Sequence, residues 1–424
     1  MKTLLISANT EVINMPVMPF GLACVASAAQ QAGHDAVMLD LMFASDPNGA
    51  LKDALVSVRP GCIGVSLRNI DDQNMDSPRF LLDEVRDVIA FCRKHSDAPI
   101  VVGGAGYSIF PESALAFLDA DMGIEGEGEK AFPALLSCLE RGRDVSGIPG
   151  IHLRDRGAQQ PRSFARDMDA FRMPVPTVLA ASAARNPDPW IPAQTRRGCP
   201  FHCAYCTTPA IEGARLRKRA PEDVVAWLQQ WVAAGYNQFF FVDNTFNFPP
   251  SYAKELCRLI IAHGLDIQWQ SIIYPKNVDV ALVGLMADAG CKHISLGFES
   301  GCEDILRSMN KRFTPDEARV ISDMFGARGI ERMGFLLLGG PGETQESVET
   351  SLAYADALNL EMLSVTPGIR ICPNTPLAAT AVEHGIVTAA DDLLRPRFYL
   401  ARELDGWLQP RLKQWAASRP YVML

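Results

Sequence analysis

Short apolar runs alternate with longer helix-patterned stretches along most of the chain, and that alternation leaves few folds open. A strand that runs parallel to its predecessor needs a crossover of a dozen or more residues. Repeated strand–helix units therefore predict parallel sheets with helices on their faces. In the first third, strands are predicted at 3–7, 36–41, 62–67, 100–102 and 122–124, with helical patterns at 21–31, 51–58, 79–95, 113–118 and 130–141. A second series has predicted strands at 191–196, 238–242, 267–272, 293–297, 333–338 and 363–366. Between the two, 142–190 is rich in Arg, Asp, Pro and Ala and reads as a linker with a hairpin at 151–154 and 160–164. The expected fold class is α/β, with a doubly wound, Rossmann-like domain first. The second series has six repeats, too few for a closed eight-stranded barrel.

In such sheets ligands sit at the carboxyl ends of the strands. The loops there are unusual. The first series offers Pro16-Val-Met-Pro-Phe-Gly21, Ser66-Leu-Arg-Asn69, Gly103-Gly104-Ala-Gly106 and Glu125-Gly-Glu-Gly-Glu129. Glycines at strand ends let the backbone approach a flat ligand closely, although each alone is equally a turn residue. No Gly-x-Gly-x-x-Gly follows the first strand, which disfavours a dinucleotide site. In the second series, Asp243-Asn244, Gly297-Phe-Glu-Ser300 and Gly339-Gly-Pro-Gly-Glu343 fall at strand ends.

After the first strand of that series comes Arg197-Gly-Cys-Pro-Phe-His-Cys-Ala-Tyr-Cys-Thr207, which places Cys199, Cys203 and Cys206 in one short loop. Thiolates are the soft ligands that iron–sulfur clusters require. A structural zinc site would want four protein ligands, commonly two separated pairs, and no second pair follows. A cube held by three cysteines leaves one iron open to substrate, and His202 lies inside the loop as a further donor.

Cys-x-x-x-Cys-x-aromatic-Cys, with Tyr205 in the aromatic slot, resembles the signature of the radical S-adenosylmethionine (SAM) enzymes. The strand-end loops of the first series resemble those of the cobalamin-binding domain that precedes many such cores. The resemblance covers about residues 1–375. It implies a cobalamin-binding domain at 1–141 and a partial (β/α)6 barrel at 191–375, with the linker at 142–190 between them; 376–424 lies beyond the resemblance and reads as a helical extension. It further implies a 4Fe–4S cluster on Cys199, Cys203 and Cys206, and SAM held near Tyr205, Asp243, Asn244, Glu299, Ser300, Gly339, Gly340 and Gly342. Cobalamin would lie against Met18, Pro19, Gly21, Ser66, Leu67, Asn69, Gly103, Gly104, Gly126 and Glu127. Glu299 would accept from the ribose hydroxyls, Tyr205 would offer its backbone to adenine, and Lys311 is a candidate to steer the SAM carboxylate. The Asp-x-His-x-x-Gly motif of the other large cobalamin-binding class is missing. Of seven histidines only His34 and His95 fall in 1–141, so a lower histidine ligand on cobalt is not expected.

The activity implied is a cobalamin-dependent methyl transfer to an unactivated carbon, made reactive by a 5′-deoxyadenosyl radical. Cyclisation or rearrangement with the same cofactors is the near rival, and a cobalamin-binding sensor with a structural cluster the distant one. A small-molecule or lipid-like substrate is expected, with an electron donor such as flavodoxin or ferredoxin. The net charge of −9 argues against nucleic acid. The run Arg215-Leu-Arg-Lys-Arg219 is read as a solvated segment. No apolar stretch reaches the length of a membrane span, and the N-terminus lacks a signal-peptide pattern. Eleven cysteines without a secretory signal then suggest reduced thiols and a cytoplasmic setting. Leu400, Leu404, Trp407, Leu408, Leu412 and Trp415 recur at helical spacing, which predicts an amphipathic helix packed on the barrel or a substrate lid.

Overall fold

The computed structural model describes residues 1–12 and 15–424. It divides into two compact units, one of Met1–Asp72, Pro78–Pro189 and Ala210–Gly213, the other of Gln73–Ser77, Trp190–Pro209 and Ala214–Leu424.

The first unit is built on a seven-stranded sheet of β1 (Lys2–Ser7), β2 (Asp35–Asp40), β3 (Cys62–Ser66), β4 (Ile100–Gly103), β5 (Met122–Ile124), β6 (Ile151–Leu153) and β7 (Gly157–Ala158). Their order is β2-β1-β3-β4-β5-β6-β7, parallel through β5 and antiparallel thereafter. Strand β1 is buried from Thr3 to Ser7, as expected of a strand covered on both faces. Helix Phe20–Gln31 turns Leu22, Ala26 and Ala29 onto the sheet beside Phe132, Leu135 and Leu136 of helix Gly128–Glu140. Helix Pro47–Val58 starts where Asp46 accepts from the Gly49 amide at 3.0 Å, with proline in its first turn.

Two details depart from the sequence reading. The hairpin closes at Gly157–Ala158 rather than 160–164, and β6 pairs with β5, so it extends the sheet. The Gly103-Gly104 loop opens at once into a short helix, Ala105–Ile109.

The second unit contains β8 (Ile191–Ala193), β9 (Arg196–Arg197), β10 (Arg217–Lys218), β11 (Gln238–Phe241), β12 (Gln268–Ile273), β13 (Cys291–Glu299), β14 (Glu331–Leu338), β15 (Met362–Pro367), β16 (Ile369–Arg370), β17 (Phe398–Tyr399) and β18 (Val422–Met423). Seven form one all-parallel sheet in the order β18-β15-β14-β13-β12-β11-β8. Strands β8, β11, β12, β13, β14 and β15 are the six predicted ones, in sequence order, which is the layout of an open, partial (β/α)6 barrel. Alternate residues of β12 to β15 are buried, because helices cover the outer face. Helix Pro315–Gly326 begins with a capping box between Thr314 and Glu317.

At the C-terminal end, Leu404, Leu408, Leu412 and Trp415 are buried in the cluster that holds Leu336, Leu338 and Val365 of the barrel. Arg411 pairs with Glu349, and Arg419 with Asp356. The expected amphipathic segment is thus a short turn at Arg402–Leu404 followed by helix Leu408–Ala416, docked on the barrel.

Candidate active site

The chemistry-bearing side chains of the second unit gather at the carboxyl ends of its strands. The chain leaves β8, forms the two-residue β9 and enters the cysteine loop. Cys199 is buried, while Cys203 and Cys206 are half-buried. A tight turn sets their spacing, with the Cys206 amide donating to the Cys203 carbonyl at 3.2 Å. The loop is pinned from two sides. The Ala204 amide donates to the Met309 carbonyl at 3.0 Å, and the Leu377 amide donates to the Ala204 carbonyl at 2.9 Å. Cys206 Sγ lies 3.3 Å from Thr208 Oγ1, which lies 3.2 Å from Asn244 Oδ1. Burial raises the Cys203 thiol pKa, the Lys311 ammonium beside it pulls the other way, and Cys206 and Glu299 add to the rise.

Glu299 ends β13 in a left-handed conformation, φ 62°, rare for a residue with a side chain. Its Oε1 accepts from Tyr205 Oη at 2.8 Å and from Lys311 Nζ at 3.0 Å. Both charged side chains are largely buried, and Lys311 also lies over the Tyr205 ring, 5.1 Å from its centroid. Burial disfavours the ammonium, but Glu299, Tyr205 and Cys203 together outweigh it and lift Lys311 well above the ordinary lysine value. Lys311, expected near a ligand carboxylate, is committed to Glu299.

At the end of β11, Asp243 is fully buried. Its Oδ1 accepts from the Thr195 and Arg196 amides at 2.8 and 3.1 Å, its Oδ2 from Thr195 Oγ1 at 2.6 Å, and Arg196 Nε lies 3.2 Å from Oδ2. Asp243 therefore fastens the start of the cysteine loop, and its half-buried neighbour Asn244 is the one at the cysteine side. Ser300 is also fully buried. It shares a 2.9 Å hydrogen bond with Ser351 and accepts from the Cys302 amide.

After β14, Glu343 Oε2 accepts from the Gly339 and Gly340 amides, folding Gly339–Gly342 into a tight loop with φ of 100° at Gly339 and 81° at Gly342. Burial pushes the Glu343 pKa up to about 7, against the pull of those two amides, and Glu343 Oε1 is buried without a hydrogen-bond partner.

The basic run differs from its solvated reading. Arg217 and Arg219 are buried, β10 pairs with β9, and Arg219 Nε donates to the Gln194 carbonyl at 3.1 Å.

In the first unit the flagged loops again lie at strand ends. Ser66, Leu67 and Asn69 border a cleft with Asn9, Arg68 and Glu84. Gly104 has φ 105°, and a Cβ there would overlap the Leu67 carbonyl, so glycine is required for the loops after β3 and β4 to meet. The Gly126 amide, φ 86°, donates to Ser108 Oγ at 2.9 Å. Glu127 accepts from the Ala165 amide at 2.7 Å. Met18 is buried, Pro19 half-buried, and Gly21 lies in the first turn of helix Phe20–Gln31.

His34 lies 3.4 Å from the Met1 amine and 3.2 Å from Ser137 Oγ, while His95 stacks on Phe91. A third histidine joins this unit, contrary to the linker assignment. His152 on β6 is buried, with Nε2 3.2 Å from Glu125 Oε2. Sequence reasoning placed this strand in a linker hairpin and missed its pairing with β5, which brings His152 into the sheet.

Two family models match, the radical SAM superfamily over residues 194–355 and the B12 binding domain over residues 6–136. The chain belongs to the radical SAM enzymes that carry a B12-binding domain. Among curated relatives of this radical SAM chain are an uncharacterized methyltransferase of Pyrococcus horikoshii, 24% identical over 88% of this chain and 82% of the relative. Tryptophan 2-C-methyltransferase of Streptomyces laurentii is 25% identical over 88% and 74%. Among solved structures, the radical SAM methyltransferase TsrM of Kitasatospora setae, with cobalamin and a [4Fe-4S] cluster bound, superposes with a TM-score of 0.89. It is 24% identical, over 100% of this chain and 92% of that one.

The cofactors of this family are a 4Fe–4S cluster, SAM and cobalamin. Among the described residues no three His, Cys, Asp or Glu side chains converge as a single-ion cage would require. Three thiols spaced along one loop suit the separate corners of a cluster better than one tetrahedral zinc. Burial raises Cys62 and Cys257 to about 12 and Cys92 to about 11, which marks these as core residues rather than ligands.

Proposed function

We propose that this chain is a cobalamin-dependent radical SAM methyltransferase that acts on an unactivated carbon of a small molecule. The observation that carries the reading is the three-cysteine loop, held by Asp243, Met309 and Leu377 at the carboxyl end of a parallel barrel. Relatives named as methyltransferases support methyl transfer over cyclisation, and a B12-binding domain in the same chain suits a methyl carrier while serving either reading. When bound, the three cofactors supply methyl carriage and radical generation.

The chain's own residues bind, orient and shield. Cys199, Cys203 and Cys206 would hold the cluster. Tyr205 and Lys311 fix the Glu299 carboxylate at the end of β13, leaving its second oxygen to accept from ribose hydroxyls. Asn244 stands beside the cysteine loop through Thr208, where its amide can orient a polar end of SAM. Gly339, Gly340 and Gly342 leave room for the nucleoside, while Asp243 and Ser300 act through the backbone they tie. Met18, Pro19, Gly21, Ser66, Leu67, Asn69, Gly103, Gly104, Gly126 and Glu127 line or shape the strand-end loops to which cobalamin is assigned.

The reading includes a one-electron donor of flavodoxin or ferredoxin type, and no nucleic-acid partner, in keeping with the net charge of −9. No helix among the described residues is long and apolar enough to cross a membrane. Eleven cysteines, none placed in a disulfide, support a reducing, cytoplasmic setting.

The test is a product assay on anaerobically reconstituted protein given SAM and reductant, with and without cobalamin. Cobalamin-dependent S-adenosylhomocysteine is expected. Release of 5′-deoxyadenosine without any S-adenosylhomocysteine would favour cyclisation or rearrangement instead.

A further inference from the structure

Five residues that follow β3 in sequence, Gln73–Ser77, cluster with the second unit rather than the first. The segment is stiffened locally. Asn74 Oδ1 accepts from the Asp76 and Ser77 amides at 2.9 and 3.3 Å, an Asx-type turn that fixes the direction of the residue between them. Asp76 lies 3.4 Å from Lys413 Nζ on the helix docked against the barrel.

Met75, half-buried at the centre of this turn, seats on Gly368. A Cβ built on Gly368 would overlap the Met75 sulfur, so the thioether occupies the place of a side chain there. Gly368 has φ 74° and follows directly on β15. Its amide donates to the Leu338 carbonyl at 2.7 Å, which ties the end of β15 to the end of β14. Gly339 lies against it, since a Cβ on Gly339 would come within 3.2 Å of the Gly368 nitrogen. Gly340 is bordered in turn by Ile369 and Met309, and Met309 carries the carbonyl that holds the cysteine loop. Met75, Gly368, Gly339–Gly340 and Met309 thus form a continuous stack that ends at Ala204, between Cys203 and Cys206 in the loop.

We propose that Met75 is a positioning residue for the glycine loop after β14, acting through Gly368 to keep that loop at its spacing from the cysteine loop. An unbranched thioether suits this place because it fills an irregular gap without a fixed branch. Two adjoining glycines give the backbone no side chains of its own with which to hold position. The inference rests on the reading of Gly339–Gly342 as a SAM-contacting loop.

The test is SAM affinity by calorimetry on anaerobically reconstituted variants, with iron counted per chain in each. Met75→Gly should weaken SAM about fivefold at unchanged iron, while Met75→Leu, which conserves volume, should stay within about twofold. Gly368→Ala should weaken binding through the clash, and adding Met75→Gly to it should recover part of the loss, because residues in contact are not additive. Gly340→Val serves as the control for the loop itself. If Gly340→Val weakens SAM and Met75→Gly does not, the positioning role is wrong. If neither does, the loop reading fails and the positioning role with it. Losses in Met75→Gly and Gly368→Ala that simply add would also overturn the proposed contact.

Discussion

Glu299, Lys311 and Tyr205 form a constrained, largely buried polar group near the cysteine loop. A carboxylate and an ammonium, both largely buried, need each other, since removing one partner leaves the other charged and unpaired. Glu299→Gln is therefore expected to do two things. It should lower SAM affinity about ten- to hundredfold, as for loss of a charge-assisted hydrogen bond of roughly 1.5–3 kcal/mol. It should also cost on the order of 3 kcal/mol of folding stability, because Lys311 loses its counter-charge. Calorimetric SAM titration and denaturant unfolding separate the two, and a variant with lowered stability but unchanged affinity would make Glu299 purely structural. The types of these residues were legible in Gly297-Phe-Glu-Ser300 and Met309-Asn-Lys311. Their partnership was not, because Glu299 and Lys311 lie twelve positions apart, with helix Glu303–Ser308 between them. Asp243 was harder still. Beside Asn244 it looks like a ligand residue, yet folding turns it inward to hold Thr195 and Arg196.

At the scale of elements, the parallel strands were legible in two ways: β1 and β3, buried on both faces, read as continuous apolar runs, while β12 to β15 bury alternate residues. Two features escaped: the pairing of β6 with β5, which brings His152 into the first sheet, and β18, too short to carry a period, which adds to the edge beside β15. The loop after β14 was legible as glycine-rich, but the role of Glu343 as its internal anchor depends on burial, which no motif records. That burial has a consequence for stability. The folded pKa of Glu343, about 7, lies above the ordinary carboxylate value, so the folded state keeps this proton where the unfolded chain has lost it. Stability should consequently fall as pH rises from about 4.5 to about 7, by on the order of 1–3 kcal/mol from this group. In Glu343→Gln that part of the slope should vanish. Denaturant midpoints at pH 5 and pH 7.5 check it, and an unchanged pH difference in the variant would show that Glu343 ionises freely in the fold.

At the scale of the whole molecule, one chain carries a mostly parallel sheet and an all-parallel one, and the proposed cofactor sites lie at their strand ends. The alternation of strands and helices announces both sheets, and the cysteine spacing announces the chemistry of the second. The C-terminal periodicity at Leu404, Leu408, Leu412 and Trp415 announces a packed helix, and the ion pairs of Arg411 and Arg419 hold it down. The substrate is not legible, because its specificity lies in side chains brought together from distant loops. What the account depends on most is the cluster at the cysteine loop. Iron and visible absorption should therefore be measured on anaerobically reconstituted wild-type protein and on the triple variant Cys199→Ala, Cys203→Ala and Cys206→Ala. About four irons per chain and a broad band near ~400 nm are predicted for the wild type, with both lost in the triple variant. Full iron loading and an unchanged band in the triple variant would contradict the account.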